Sequence, residues 1–237
     1  MKNQYFGDIS DYRKYGLLRS IYRVANLKTL VAWMLTKDDG STDGQKLSYL
    51  SNDKKWSGHD PELFETLKHL ITQNPDRAVA LIEQSPLLSN TEFFSRLVPD
   101  DAMGRGSWFN QLLKHTSQCD LVFLDPDNGL EVKSKPYGRS KSSKYIYKRE
   151  VKQLWQSGKS LLIYQHFIRE KREVFIERML RGLAELTEDA SITAFTTSHV
   201  VFFMILQPKH THLEDAIVSE VNQSWSGQVG LYHPNNL

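Results

Sequence analysis

The chain has 237 residues, a formal net charge of +2, and ordinary shares of hydrophobic (40%) and charged (24%) side chains. These values give no indication of disorder, and a net charge this small argues neither for nor against nucleic acid, so any electrostatic argument must be local. A single cysteine, Cys119, excludes an internal disulfide and a thiolate zinc cluster and reads as a small core residue. No apolar run approaches the roughly 20 residues needed to cross a bilayer. The opening Met1-Lys2-Asn3-Gln4-Tyr5-Phe6-Gly7-Asp8 lacks the apolar centre of a signal peptide. A cytoplasmic protein without a membrane partner is therefore expected, long enough for one α/β domain over 1–237; the oligomeric state is left open.

Asp8 and Ser10 are candidate helix caps, and Tyr12, Tyr15, Leu17, Leu18, Ile21 and Tyr22 recur at helical spacing, which predicts a first helix ending near Ala25. Asp8, Asp11, Arg13, Lys14 and Arg19 crowd its beginning, where free backbone amides favour anionic groups; a solvated charged face is the plainer explanation. Leu30-Val31-Ala32-Trp33-Met34-Leu35 predicts a buried strand, followed by a polar loop containing Asp39, Gly40, Asp43 and Gly44. That loop has neither phosphate-cradling glycine spacing, and an ordinary Asp-Gly turn fits it as well as a cofactor rim. From Asp60-Pro61 to Lys114 apolar stripes at helical spacing are broken by Asn74-Pro75, Ser85-Pro86 and Val98-Pro99, so a helical insertion or cap over 57–115 is expected, with no chemistry assigned to it.

The stretch that organises the rest is Leu121-Val122-Phe123-Leu124, a buried strand, stopped abruptly by Asp125-Pro126-Asp127-Asn128-Gly129. In an open α/β sheet the carboxyl ends of strands form the ligand crevice, so these polar groups belong at the functional rim; a turn with no further role is the alternative. Residues 133–149 then interleave Lys133, Lys135, Arg139, Lys141, Lys144, Lys148 and Arg149 with Tyr137, Tyr145 and Tyr147. Cations neutralise phosphates and aromatic faces accept bases, which suits nucleic acid, although a mobile solvated loop has the same composition. A short helix over 151–157 and a strand over 160–164 lead to Gln165-His166-Phe167-Ile168-Arg169, where His166 is a candidate proton carrier, metal ligand or partner of Asp125, or a structural hydrogen-bonding residue. An amphipathic helix over 172–186, strands over 192–195 and 200–206 joined by a short return, and a helix over 214–225 complete the pattern. It predicts a single doubly wound, mostly parallel, Rossmann-like sheet ending in an antiparallel hairpin.

This order of elements resembles the fold of methyltransferases that use S-adenosylmethionine. More narrowly, Gly7-Asp8-Ile9-Ser10-Asp11-Tyr12-Arg13-Lys14-Tyr15 is similar to the Gly-Asn-His-Ala-Asp-x-x-Lys-His opening of the ribosomal RNA adenine-N6 methyltransferases. Asp125-Pro126 falls where that family has Asp-Pro-Pro-Tyr. The resemblance implies that Asp125 and the carbonyl after it accept hydrogen bonds from a target amine on a flipped-out base. Asp127 and Asn128 stand in place of the family's Pro and Tyr, so the stacking face is missing unless Tyr164 or Phe167 replaces it. The loop after the first strand is bulky and acidic where the family's is small and glycine-rich.

Three readings follow. In the first, a nucleic-acid methyltransferase, Asp125, Pro126, Asp127, Asn128 and His166 form the catalytic set. Asp11, Lys14, Tyr15, Trp33, Asp39 and Gly40 then bind S-adenosylmethionine, and Lys141, Lys144, Tyr164 and Arg169 bind the substrate. In the second, Asp120 or Asp125 with Glu131-Val132-Lys133 is similar to the carboxylate and Glu-x-Lys sites of restriction-endonuclease-like nucleases, with Mg on Asp125, Asp127 and Glu131 and with Lys133 supporting water. The third is a non-catalytic nucleic-acid-binding module on the same fold. Topology separates the first two: after Gly129 the chain leaves the sheet in the first and pairs back antiparallel in the second.

Overall fold

The computed structural model describes residues 1–233. In chain order its elements are α1 (Ile9–Ala25), β1 (Thr29–Ala32), α2 (Asp53–Trp56), α3 (Pro61–Gln73), α4 (Ala80–Glu83), β2 (Thr91–Phe94), α5 (Ala102–His115), β3 (Leu121–Leu124), β4 (Gly129–Leu130), β5 (Tyr145–Ile146), α6 (Lys148–Gln156), β6 (Ser160–His166), α7 (Arg172–Ala184), β7 (Ser191–Thr196), β8 (Val200–Leu206), α8 (Glu214–Ser224) and β9 (Gly230–Leu231).

Seven of the strands form one sheet in the order β2-β1-β3-β6-β8-β7-β9, and β4 and β5 make a separate pair. The neighbours β2, β1, β3 and β6 run parallel; β8 lies antiparallel between β6 and β7, and β9 is antiparallel to β7. The sheet is therefore mostly parallel, of the kind found in Rossmann-like α/β proteins.

Because side chains alternate across a strand, each strand supplies two cores. Val31, Phe123, Leu162, Tyr164, Phe202 and Met204 pack with α1, α3 and α8. Leu30, Val122, Leu124, Ile163, Phe203 and Ile205 pack with α5, α6 and α7 on the opposite face. Burial on both faces explains the uninterrupted apolar runs of β3 and β8. Helix starts follow the side chains that cap them: Asp8 accepts from the backbone of Ser10 and Asp11, Asp60 from Leu63 and Asp101 from Gly104.

The span 57–115 is not wholly helical. It contains β2, which pairs in parallel with β1 from Thr29↔Thr91 to Ala32↔Phe94, so α3 and α4 form a crossover into the sheet and α5 the crossover out. Within β2 only Phe94 is buried, and a four-residue edge strand of that kind leaves no apolar run to read. After Gly129 the chain leaves the central sheet: β4 pairs in parallel with β5, so the antiparallel return required by the nuclease reading is absent. No helix among the described residues is long and apolar enough to cross a membrane.

Candidate functional site

Since β1, β3 and β6 are parallel neighbours, their carboxyl ends emerge along one edge of the sheet. The loops that leave them, together with the start of α1, enclose a cavity of about 650 Å3. Asp39 and Gly44 reach it from the first loop, Asp125, Pro126, Asp127 and Asn128 from the second, and Tyr164, His166 and Phe167 from the third.

At its floor Lys14 Nζ lies 2.7 Å from Asp11 Oδ1 and 2.7 Å from Asp125 Oδ2, with all three side chains at most 3% exposed. One turn of helix aligns Asp11 with Lys14 and Tyr15. The other oxygen of Asp11 accepts the Tyr15 hydroxyl at 2.9 Å and the Gly7 amide at 3.0 Å, so the carboxylate is spanned on both sides. Burial alone would lower the Lys14 pKa, but Asp11 and Asp125 outweigh it and hold the ammonium above its ordinary value. Burial pushes the Asp125 carboxyl up, while Lys14 and the Met1 amino group pull it down. Burial is the largest of these effects and holds the Asp125 carboxyl above its ordinary value, with Lys14 Nζ at 2.7 Å the strongest opposing charge.

The Met1 amino group donates to the Asp125 carbonyl at 3.1 Å and lies 2.5 Å from Asp127 Oδ1. Thr36 Oγ1 donates to the other Asp127 oxygen at 2.8 Å. Burial works against the Asp127 carboxylate, but the amino group, Thr36 and Lys144 together keep its pKa below the ordinary value. Nearer the mouth, Asp39 is held by Lys2. On the facing side the Tyr164 hydroxyl and His166 Nε2 share a hydrogen bond of 3.1 Å. Burial, reinforced by Lys14, pulls the imidazole down to about 4, which leaves it neutral at pH 7. Lys14 also lies 5.2 Å from the Tyr164 ring centroid, so that ring is already engaged by a cation. Phe167 lines the same cavity.

Asp11, Lys14, Asp39, Asp125, Pro126, Asp127, Asn128, Lys144, Tyr164 and His166 thus share one cavity. The other predicted residues do not line it. Tyr15 is fully buried behind Asp11. Trp33 turns into the core, stacked on Phe93 with its indole nitrogen donating to Glu83 at 2.7 Å, because its position alternates to the α1 face. Gly40 is exposed, with nothing within 4 Å of where a Cβ would stand. Lys141 adopts a left-handed turn at φ 67 and directs its amide to Asp100, which points the segment away. Arg169 is exposed outside the lining.

The alternative magnesium set of Asp125, Asp127 and Glu131 is not assembled either. Glu131 and Lys133 line a separate cavity, and Asp125 and Asp127 are already matched by ammonium groups. Among the described residues no group of three or more His, Cys, Asp or Glu side chains is gathered as metal ligands. Sequence reading missed Lys2, Lys46, Arg172 and His199, which complete the wall, and Thr36, which stands outside the lining and holds Asp127. For Thr36 a signal existed, since it begins the polar loop after β1; nothing local marks the others.

The lining alternates carboxylates (Asp8, Asp39, Asp43) with cations (Lys2, Lys46, Arg172). A zwitterionic amino acid joined to a nucleoside needs such a mixture: anions for its ammonium and ribose hydroxyls, cations for its carboxylate. The volume lies within the range of small-molecule sites of about 300–1,000 Å3. No protein-family model matches the chain, and no curated protein matches it.

Proposed function

We propose that the protein is an S-adenosylmethionine-dependent methyltransferase that modifies an amino group of a nucleic-acid base. The observation that carries the reading is the direct contact of Lys14 with Asp125. Two stretches 111 residues apart, each similar to a motif of the ribosomal RNA adenine-N6 methyltransferases, meet at 2.7 Å. The sheet order supports it, with antiparallel β8 set between β6 and β7 as in the doubly wound, methyltransferase-type fold whose last two strands form a hairpin.

When bound, the cofactor supplies a methyl group already activated on a sulfonium, so the protein's work is positioning and exclusion of water. Asp8, Asp39 and Asp43 would hold the cofactor's ammonium and hydroxyl groups, and Lys2 and Lys46 its carboxylate, once the Lys2–Asp39 pair opens. Lys14 locks the Asp125 side chain, and the Asp125 carbonyl and the Asp127 carboxylate, which hold the Met1 amino group in this structure, would receive the target amine in its place. That this rim suits an amine is visible in the seat taken by the Met1 amino group between the Asp125 carbonyl and Asp127. Neutral His166, held by Tyr164, accepts a proton too weakly to compete for the amine. Phe167, which like Tyr164 already has a cation over its ring, Arg172 at 5.1 Å from the centroid, would have to exchange that contact to stack a base.

The test is calorimetric titration with S-adenosylmethionine beside magnesium and manganese, followed by transfer of labelled methyl to RNA and DNA. Cofactor binding in the micromolar range with labelled nucleic acid, the labelling lost in Asp125→Ala that still binds cofactor and melts cooperatively, is the expected result. Binding of divalent metal without any binding of the cofactor overturns it.

A further inference from the structure

A second concavity, about 930 Å3, opens between the segments around β4 and β5 and the exposed flank of α7. Its floor is apolar, with Phe175, Met179 and Leu183 among its lining, and its rim carries Lys133, Lys148 and Arg149. With Lys135 and Arg178 the lining holds five cations against one carboxylate, Glu131. Among the described residues only Arg178 of the five is paired with a carboxylate, Glu170 at 2.7 Å. The Arg149 guanidinium lies over the Tyr137 ring, 3.1 Å from its centroid, and Tyr137 meets Tyr147 edge-on at 5.0 Å.

The two cavities adjoin. Ile168, 51% exposed, lines both. The wall between them is built by Gln165, whose side chain accepts from the Leu130 amide at 2.7 Å and donates to the Asn128 carbonyl at 3.1 Å. Gly129 packs against it at φ +115, a backbone conformation that favours glycine, with a Cβ there meeting the end of the Gln165 side chain at 2.3 Å.

We infer that this second cavity receives an unpaired nucleotide of a single-stranded nucleic acid, next to the nucleotide presented to the Asp125 cavity. The inference rests on the nucleic-acid reading above. A concave apolar floor accepts the face of a splayed base, which a duplex keeps stacked, and several unmatched cations neutralise successive phosphates. An acyl chain with a single carboxylate would leave most of those cations without a partner. The recognition elements are therefore Lys148 and Arg149, exposed at the start of α6, rather than the outlying Lys141.

The experiment is fluorescence anisotropy of a short labelled single-stranded RNA with the full chain, without cofactor, over a salt series, for wild type and Lys148→Ala/Arg149→Ala. Both side chains are exposed, and an unchanged melting temperature checks the fold. Expected are affinity weakened at least about tenfold and a salt slope shallower by about 1.4, from about 0.7 for each lost phosphate contact on a single strand. Wild type should also prefer the single strand to a duplex of the same sequence. An unchanged affinity and slope, an equal preference for duplex, or loss of binding to anionic lipid vesicles but not to RNA overturns the inference. The two readings fail separately. Strand binding that depends on Lys148 and Arg149 without methyl transfer sinks the transferase and keeps the groove. Methyl transfer to nucleic acid that the double variant leaves intact sinks the groove and keeps the transferase.

Discussion

The Lys14 ammonium lies midway in a buried chain of charge, 2.7 Å from Asp125 on one side and 2.7 Å from Asp11 on the other. Removing the cation strands two carboxylates in the core. Lys14→Met is expected to cost about 3–5 kcal/mol, the range for breaking a buried ion pair from one side. Urea denaturation at neutral pH measures it, and a midpoint equal to wild type would contradict the burial of the cluster.

His166 predicts an acid-sensitive component of stability. Its folded pKa, about 4, lies below the ordinary 6.5 because burial and Lys14 oppose the imidazolium. Between those values the unfolded chain binds the extra proton, so the His166 contribution is whole above pH 6.5 and is lost as pH falls toward 4. His166→Gln should flatten the fall in stability over that window. The imidazole resonances of wild type should titrate near 4 in an NMR series, and a midpoint near 6.5 would refute the assignment.

Asp8 has the opposite sign in an overlapping window. Burial, then repulsion from Asp11, raises its carboxyl from 3.8 to about 6. The folded state therefore holds this proton more firmly, and the stabilisation present below pH 3.8 is lost as pH rises through 6. Asp8→Asn retains an oxygen for the Ser10 and Asp11 amides, bonded at 2.8 and 3.0 Å, and removes the buried charge. It should be more stable than wild type at pH 7–8 and little changed at pH 4, as read from denaturation midpoints at the two ends.

Gly16 sits inside α1, where alanine would ordinarily stabilise a helix by about 0.8–1.0 kcal/mol. A Cβ at this position would stand 1.8 Å from the Trp225 ring, which is fully buried beside α8. Gly16→Ala is therefore expected to destabilise by about 1–3 kcal/mol through overpacking. A rise in melting temperature would show that α1 and Trp225 are not in contact.

Much of the architecture could be read along the chain because burial leaves a linear trace. The runs at 121–124, 161–163 and 200–206 are apolar throughout since both faces of the sheet are covered, and the stripes of α3 and α7 repeat with the helical period. Asp125-Pro126 was legible as a strand end for the same reason, proline and two carboxylates being incompatible with a continuing buried strand. β2 was not legible, as an edge strand with one buried residue carries no pattern.

Within the site, residue chemistry marked Asp125 and His166 as candidates and the resemblance at Gly7–Tyr15 marked Lys14, but neither could say which charges cancel. That Lys14 serves Asp125, that Asp127 is occupied by the Met1 amino group, and that Glu131 faces a different cavity all depend on how parallel strands bring distant loops to one edge. Trp33 shows the limit most plainly: it is one residue past the end of β1, and the two-residue alternation of the strand, not its chemistry, sends it into the core. Local order follows from local periodicity, which the chain carries in itself. Electrostatic pairing and the division into two cavities are long-range, arising only once the sheet order is set.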